Sequence, residues 1–157
     1  MRSRLLLVLL AVIGCAGGAA GDPAPAAALR PAPVNLTAAR DQVRAAETAF
    51  AAAFRDRDKA RFFALVADDA VFLGPQKTLR GRAQVVETWS RFFADAAPPF
   101  SWHPERVEVS GDGAIGLSTG PVLDPTGKQI SVYSSVWRRQ ADGSWKVAFD
   151  GPGCSHP

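Results

Sequence analysis

The chain changes its hydrophobic period once. Over residues 37–55, Val43, Ala46, Phe50 and Phe54 recur at three- and four-residue spacing, and Arg40, Asp41, Arg44, Glu47 and Arg55 occupy the intervening face. That is the period of an amphipathic α-helix with one side turned to a core. Asp58 is placed to cap a second, shorter helix whose apolar members are Phe62, Leu65 and Val66. Asp68 and Asp69 read as its close, with Asp69 fixing the turn, and residues 70–73 as a short strand before the turn Gly74-Pro75-Gln76. Gly81 opens a third helix through Val85, Trp89, Phe92 and Phe93, which has to end before Pro98-Pro99.

From Trp102 onward the period is two. Residues 102–109, 114–119, 130–139 and 145–150 read as strands, separated by turns at Gly111-Asp112-Gly113, Asp124-Pro125-Thr126-Gly127 and Asp142-Gly143. Along residues 130–139, Ile130, Val132, Ser134 and Val136 share one face, and Ser131, Tyr133, Ser135 and Trp137 share the other. Helices first and an antiparallel meander afterwards predict an α+β fold, with helices against one face of a curved sheet.

The front of the chain has a pattern of its own. Arg2 and Arg4 precede an unbroken apolar run, residues 5–13, and then Gly14 and Cys15. This is the order of a secretory signal, and the run is shorter than the ~20 residues a membrane span needs. Val12-Ile13-Gly14-Cys15 resembles the bacterial lipobox, which implies cleavage before Cys15 and acylation of its sulfur and new amine. An ordinary cleaved signal with an incidental cysteine is the alternative. The expected division is a signal over residues 1–14, a lipidated Cys15 with an Ala/Pro-rich spacer to residue 34, a domain over 35–152 and a tail over 153–157. Ala16, where an Asp would retain such a protein at the inner membrane, favours the periplasmic face of the outer membrane. Cys154 then reads as an incidental thiol.

Charge changes little. The chain of 157 residues carries 18 Lys and Arg against 15 Asp and Glu; without Arg2 and Arg4 the formal charge falls from +3 to +1. The basic residues are scattered among acids, without the stripe that nucleic-acid binding requires, so no nucleic-acid partner is expected. Two His and two Cys make no metal cluster, neither a nucleophile elbow nor a phosphate-binding glycine loop occurs, and no cofactor is expected.

The order helix, Asp58-led helix, Ala67-Asp68-Asp69-Ala70-Val71-Phe72 and then Gly81 opening a helix to Trp89 resembles the nuclear transport factor 2-like superfamily. Tyr133-Ser134-Ser135-Val136-Trp137-Arg138-Arg139, followed by Asp142-Gly143-Ser144-Trp145-Lys146-Val147, is similar to its SnoaL-like and ketosteroid-isomerase-like branches. The resemblance covers roughly residues 43–150 and implies a cone: a curved sheet wrapped around three N-terminal helices, with an apolar pocket at the open end. It also implies a homodimer. In the isomerase-like pattern a general-base Asp would fall at Gly74, an oxyanion Tyr near Phe50 and a protonated acid near Ser135, so that activity is expected to be absent.

Other catalytic candidates are Tyr133, Ser135, Asp150 and His103, although Asp150 reads more simply as a strand-end turn residue and His103 as an exposed loop-edge residue. The expected ligand walls are Phe50, Phe72, Trp89, Tyr133, Ser135 and Trp137. Three functions fit: binding of a small apolar or amphipathic molecule without catalysis, which ranks first; an isomerase, cyclase or hydrolase acting in the same pocket; and a structural or dimerisation module whose cone is filled by its own side chains. Fold alone decides none of them.

Overall fold

The computed structural model describes residues 34–153, except residue 75. The expected leader, Cys15 and Cys154 lie outside these residues. Asn35 caps the long first helix, α1 (Leu36–Arg55), by accepting a hydrogen bond from the Ala38 amide. Asp58 does the same for the short α2 (Lys59–Ala64), accepting from the Arg61 amide at 2.9 Å. Between them Arg57 takes a left-handed φ of 63°. Its guanidinium donates to the carbonyls of Phe54 and Phe92 and lies 5.0 Å from the Phe93 ring centroid, which ties the α1–α2 corner to the segment after the third helix.

Strand β1 (Val66–Leu73) is longer than the pattern implied, because Val66 belongs to the strand rather than to the preceding helix. Asp68 and Asp69 lie within the strand at a register irregularity, and their side chains reach Arg82 and Arg138. Then follow β2 (Thr78–Arg80), α3 (Arg82–Trp89) and a single 3-10 turn, Ser90–Phe93. Residues 103–105 divide the next expected strand into β3 (Ser101–Trp102) and β4 (Arg106–Val109). Strands β5 (Ile115–Leu123), β6 (Gln129–Arg139) and β7 (Trp145–Pro152) complete the domain.

The sheet runs β2-β1-β7-β6-β5-β3, with β4 also paired to β5; it is curved and unclosed. All pairs are antiparallel except β1 with β7, so the sheet is mixed rather than the pure meander expected from the alternation. The parallel pair joins the first strand to the last, which local periodicity does not report.

The inner face of the sheet packs on α1. Val43, Phe50, Phe54, Phe62, Phe72, Val85, Trp137 and Val147 are all essentially without solvent exposure. Each such side chain contributes roughly 1.5–3 kcal/mol by leaving water. Close approach of α1 to β5 depends on Gly116, where an added Cβ would lie 2.5 Å from a Val43 methyl. Along α1 the buried positions are Ala39, Val43, Glu47, Phe50, Ala53 and Phe54. Glu47, expected on the polar face, therefore belongs to the inward stripe and is fully buried.

Candidate functional site

The cone is hollow. A cavity of about 490 Å³ opens at the end away from the Glu47 cluster, within the ~300–1,000 Å³ range of small-molecule sites. Its walls are mainly aromatic: Phe50, Phe72, Trp89, Phe92, Phe100 and Trp102, with Leu79, Val122 and Val132 between them. Exposed Gln76, Lys77 and Arg91 stand on the solvent side. Tyr133 and Asp150 bring polar atoms to the inner side.

β6 and β7 place these groups by alternation. Tyr133, Ser135 and Trp137 point inward together, and Asp150 lies opposite Ser135 in the register. Ser135 Oγ donates to Asp150 Oδ2 at 2.8 Å. Burial pushes the Asp150 carboxyl up to about 7; the Ser135 hydrogen bond opposes this shift and the negative charge of Glu47 adds to it. An acid near 7 both takes and gives a proton at neutral pH. Burial, and then the charge of Glu47, also raise the Tyr133 phenol above its usual value, so it stays neutral. Its hydroxyl pairs with Ser118 Oγ at 2.9 Å, where either oxygen can donate.

Four of the six residues expected to form the ligand walls line the cavity: Phe50, Phe72, Trp89 and Tyr133. Ser135 and Trp137 do not. They are fully buried one layer deeper, where Ser135 serves Asp150 and Trp137 donates its indole N–H to Glu47 Oε2 at 2.7 Å. Asp150 is not a turn residue at the strand end; it is a partly buried member of β7 that faces the cavity. His103 is exposed on the segment between β3 and β4, outside the cavity lining, and joins none of the other candidates.

Glu47, no candidate by its sequence pattern, belongs to the site: its Oε1 accepts the Trp102 indole N–H at 2.8 Å. A signal was present: Glu47 falls four places after Val43 and three before Phe50, in phase with the apolar stripe, and its charge argued against the phase. Gly74 and Phe50 both line the cavity, as the isomerase-like comparison implies, and neither carries a group that moves a proton or donates to an oxyanion. Among the described residues no three His, Cys, Asp or Glu side chains are grouped to hold a metal.

Helices laid on the inside of a one-sided, unclosed sheet, with an aromatic cavity between them, define a hollow cone of the α+β class. A family model of the SnoaL-like domain matches residues 47–148, and the chain belongs to that family, within the nuclear transport factor 2-like superfamily. Solved structures agree on the fold. A nuclear transport factor 2-like protein of unknown function from Pseudomonas putida KT2440 shares 21% identity over 77% of this chain and 89% of its own, with a TM-score of 0.60. A putative dehydratase of the same superfamily from Streptomyces avermitilis shares 23% identity over 76% of this chain and 99% of its own, at a TM-score of 0.59. A ketosteroid isomerase-like protein from Erwinia carotovora atroseptica SCRI1043 shares 21% identity over 75% and 97%, at 0.57. No curated protein matches the chain significantly.

Proposed function

We propose that this domain binds a small apolar or amphipathic molecule, with its apolar body against the aromatic walls and a polar end at Asp150 and Tyr133. The observation that carries this reading is the 490 Å³ cavity itself, aromatic on its sides with two partly desolvated polar groups at its inner end. A cone filled by its own side chains leaves no such space. Anilinonaphthalene sulfonate is a suitable probe, since its fluorescence rises in an apolar site. The full chain is expected to bind it, and Val122→Trp, which places a bulky ring in the lining, to lose most of the signal. Equal fluorescence in the two proteins rejects the cavity as the binding site.

One observation favours a second reading, acid–base catalysis on the bound molecule: Asp150 sits near 7 within reach of the cavity. The same carboxyl would act as base or acid, with the Tyr133–Ser118 hydroxyl pair as the neutral donor beside it. It differs from the isomerase-like arrangement, because the acid comes from β7 and not from position 74.

The Val12-Ile13-Gly14-Cys15 segment supports export and lipid anchoring. Labelled palmitate should enter the expressed chain and not the Cys15→Ser variant; label in both sinks the anchor. The outer sheet face supports a homodimer: Leu117, Val136 and Phe149 form one row across β5, β6 and β7, with Leu117 40% and Phe149 50% exposed. Light scattering should show a dimer that Phe149→Glu converts to monomer, and a native monomer would remove the idea.

A further inference from the structure

Beneath the cavity the chain buries an acid for which ligand binding has no use. Glu47 has no solvent exposure, and each of its carboxyl oxygens accepts one indole N–H, from Trp102 at 2.8 Å and from Trp137 at 2.7 Å. Indole N–H groups only donate, so both oxygens act as acceptors at once. The Ser118 and Ser135 hydroxyls lie close enough to the same carboxyl to favour its charged form. These serines face each other across β5 and β6, and both are fully buried. Each also has a partner that reaches the cavity: Ser118 the Tyr133 hydroxyl, Ser135 the Asp150 carboxyl.

We propose that Glu47 and Asp150 form one acid pair bridged by the Ser135 hydroxyl and sharing a single proton, with Asp150 as the end presented to the cavity and Glu47 as the internal end that also holds Trp102 in the cavity wall. Counting hydrogen atoms leads to the single proton. Ser135 has one hydroxyl hydrogen and two carboxyls to serve. With both acids ionised, the Ser135 hydrogen serves only one of them, and two negative charges share an interior that solvates neither well.

With one proton in the pair, two arrangements leave no group unsatisfied. In one, the Asp150 O–H donates to Ser135 Oγ, and Ser135 O–H donates to Glu47. In the other, the Glu47 O–H donates to Ser135 Oγ, and Ser135 O–H donates to Asp150. Exchange between them moves two hydrogens one place each: the acid O–H and the serine O–H break while a new serine O–H and a new acid O–H form. No charge leaves the pair.

The surrounding groups favour Asp150 as the protonated end. Two indole N–H groups donate to Glu47 and the Ser118 and Ser135 hydroxyls also favour its charged form, whereas Asp150 has Ser135 alone. Burial raises both acids, and the charge of Glu47 pushes Asp150 further in the same direction. The other ionisable groups nearby are Tyr133 on β6, Arg44 on α1 acting on Tyr133, and Lys77 and Arg91 on the solvent side of the cavity. A ligand that exchanges a proton with Asp150 thus draws on Glu47 through Ser135 rather than on bulk water. Only that use rests on the ligand reading; the pairing is a property of the empty protein.

Carboxyl and indole NMR of the ligand-free full chain tests it across the pH range. In the native protein the Asp150 carboxyl and the Trp102 and Trp137 indole N–H signals are expected to share one inflection near neutral pH. Glu47→Gln should lower the Asp150 midpoint by about one pH unit, the size expected for coupled sites. Asp150→Asn should remove the near-neutral inflection from both indole signals, and it decides the matter should Glu47→Gln fail to fold. An Asp150 midpoint that stays put in Glu47→Gln, or indole inflections that persist in Asp150→Asn, overturns the pair. Anilinonaphthalene sulfonate bound by a protein without this coupling leaves the binding reading intact, and coupling without probe binding leaves the pair intact.

Discussion

The two ends of the cone's interior hold together by opposite means, although one helix supplies both. One turn of α1 separates Glu47 from Phe50. Toward the cavity, Phe50 stacks on Phe62 at 4.2 Å, Phe62 on Trp89 at 5.6 Å, and Phe54 on Phe100 at 4.9 Å. Toward the base the contacts are directed hydrogen bonds: Glu47 accepts from Trp102 and Trp137, Ser118 pairs with Tyr133, and Ser135 donates to Asp150. Dispersion between rings is non-directional and divides among many small contacts. A buried hydrogen-bond network is counted in whole bonds, and losing one strands a polar atom. The aromatic end should therefore tolerate a change of shape in proportion to its size, and the polar end should not tolerate even an isostere.

The largest test of that contrast is Phe62, which touches Phe50, Phe54, Phe63, Trp89 and Phe93. Phe62→Ala should lose about 4 kcal/mol in urea unfolding, while Phe62→Leu should lose only about 1, because most of the volume is kept. Equal losses would mean that ring geometry, and not volume, holds this end.

Next in size is the response to pH. Asp150 in the native state lies at about 7, above its ordinary value of 3.8. The folded protein thus keeps a proton that the unfolded chain has released, and stability falls as pH rises across that window. Asp150→Asn removes the ionisation, so its melting temperature should match the native protein near the acid end of the window. At about pH 8 the variant should be the more stable of the two by several kcal/mol. No pH-dependent difference between the two would show that Asp150 is solvated in the native state.

The sharpest test is the smallest. Glu47→Gln preserves shape and sets an amide N–H₂ against an indole N–H, so one donor loses its acceptor. A loss of about 2 kcal/mol is expected, more than Phe62→Leu despite the smaller change in volume. If the glutamine is accommodated for less, the network has spare acceptors and the contrast between the two ends dissolves.

Much of the fold was legible because it is written in local period. The stripe Val43, Phe50 and Phe54, the Asp58 cap, and the alternation that sends Tyr133, Ser135 and Trp137 to one side all survive in the structure. Half of the site was legible for the same reason. Period tells which side of an element a residue occupies, and four aromatic or phenolic wall positions follow from it. It does not tell how deep along the cone a residue lies, so Ser135 and Trp137 were placed in the wall and are found beneath it. His103 was a candidate only by residue type, and the break between β3 and β4 turns it outward.

What the amino-acid order determines unaided is the sidedness of its elements, since the helical and extended repeats are properties of each segment alone, and with it the α+β class and the apolar character of the interior. Whether a charged residue in the buried stripe finds partners is decided only in three dimensions. Trp102 and Trp137, from two different strands, must converge on Glu47, and the parallel joining of β1 to β7 must bring Asp150 beside Phe72 in the cavity lining. Those meetings span long stretches of chain, and desolvation, which makes an ordinary carboxylate into an acid near neutrality, exists only once the walls have closed around it.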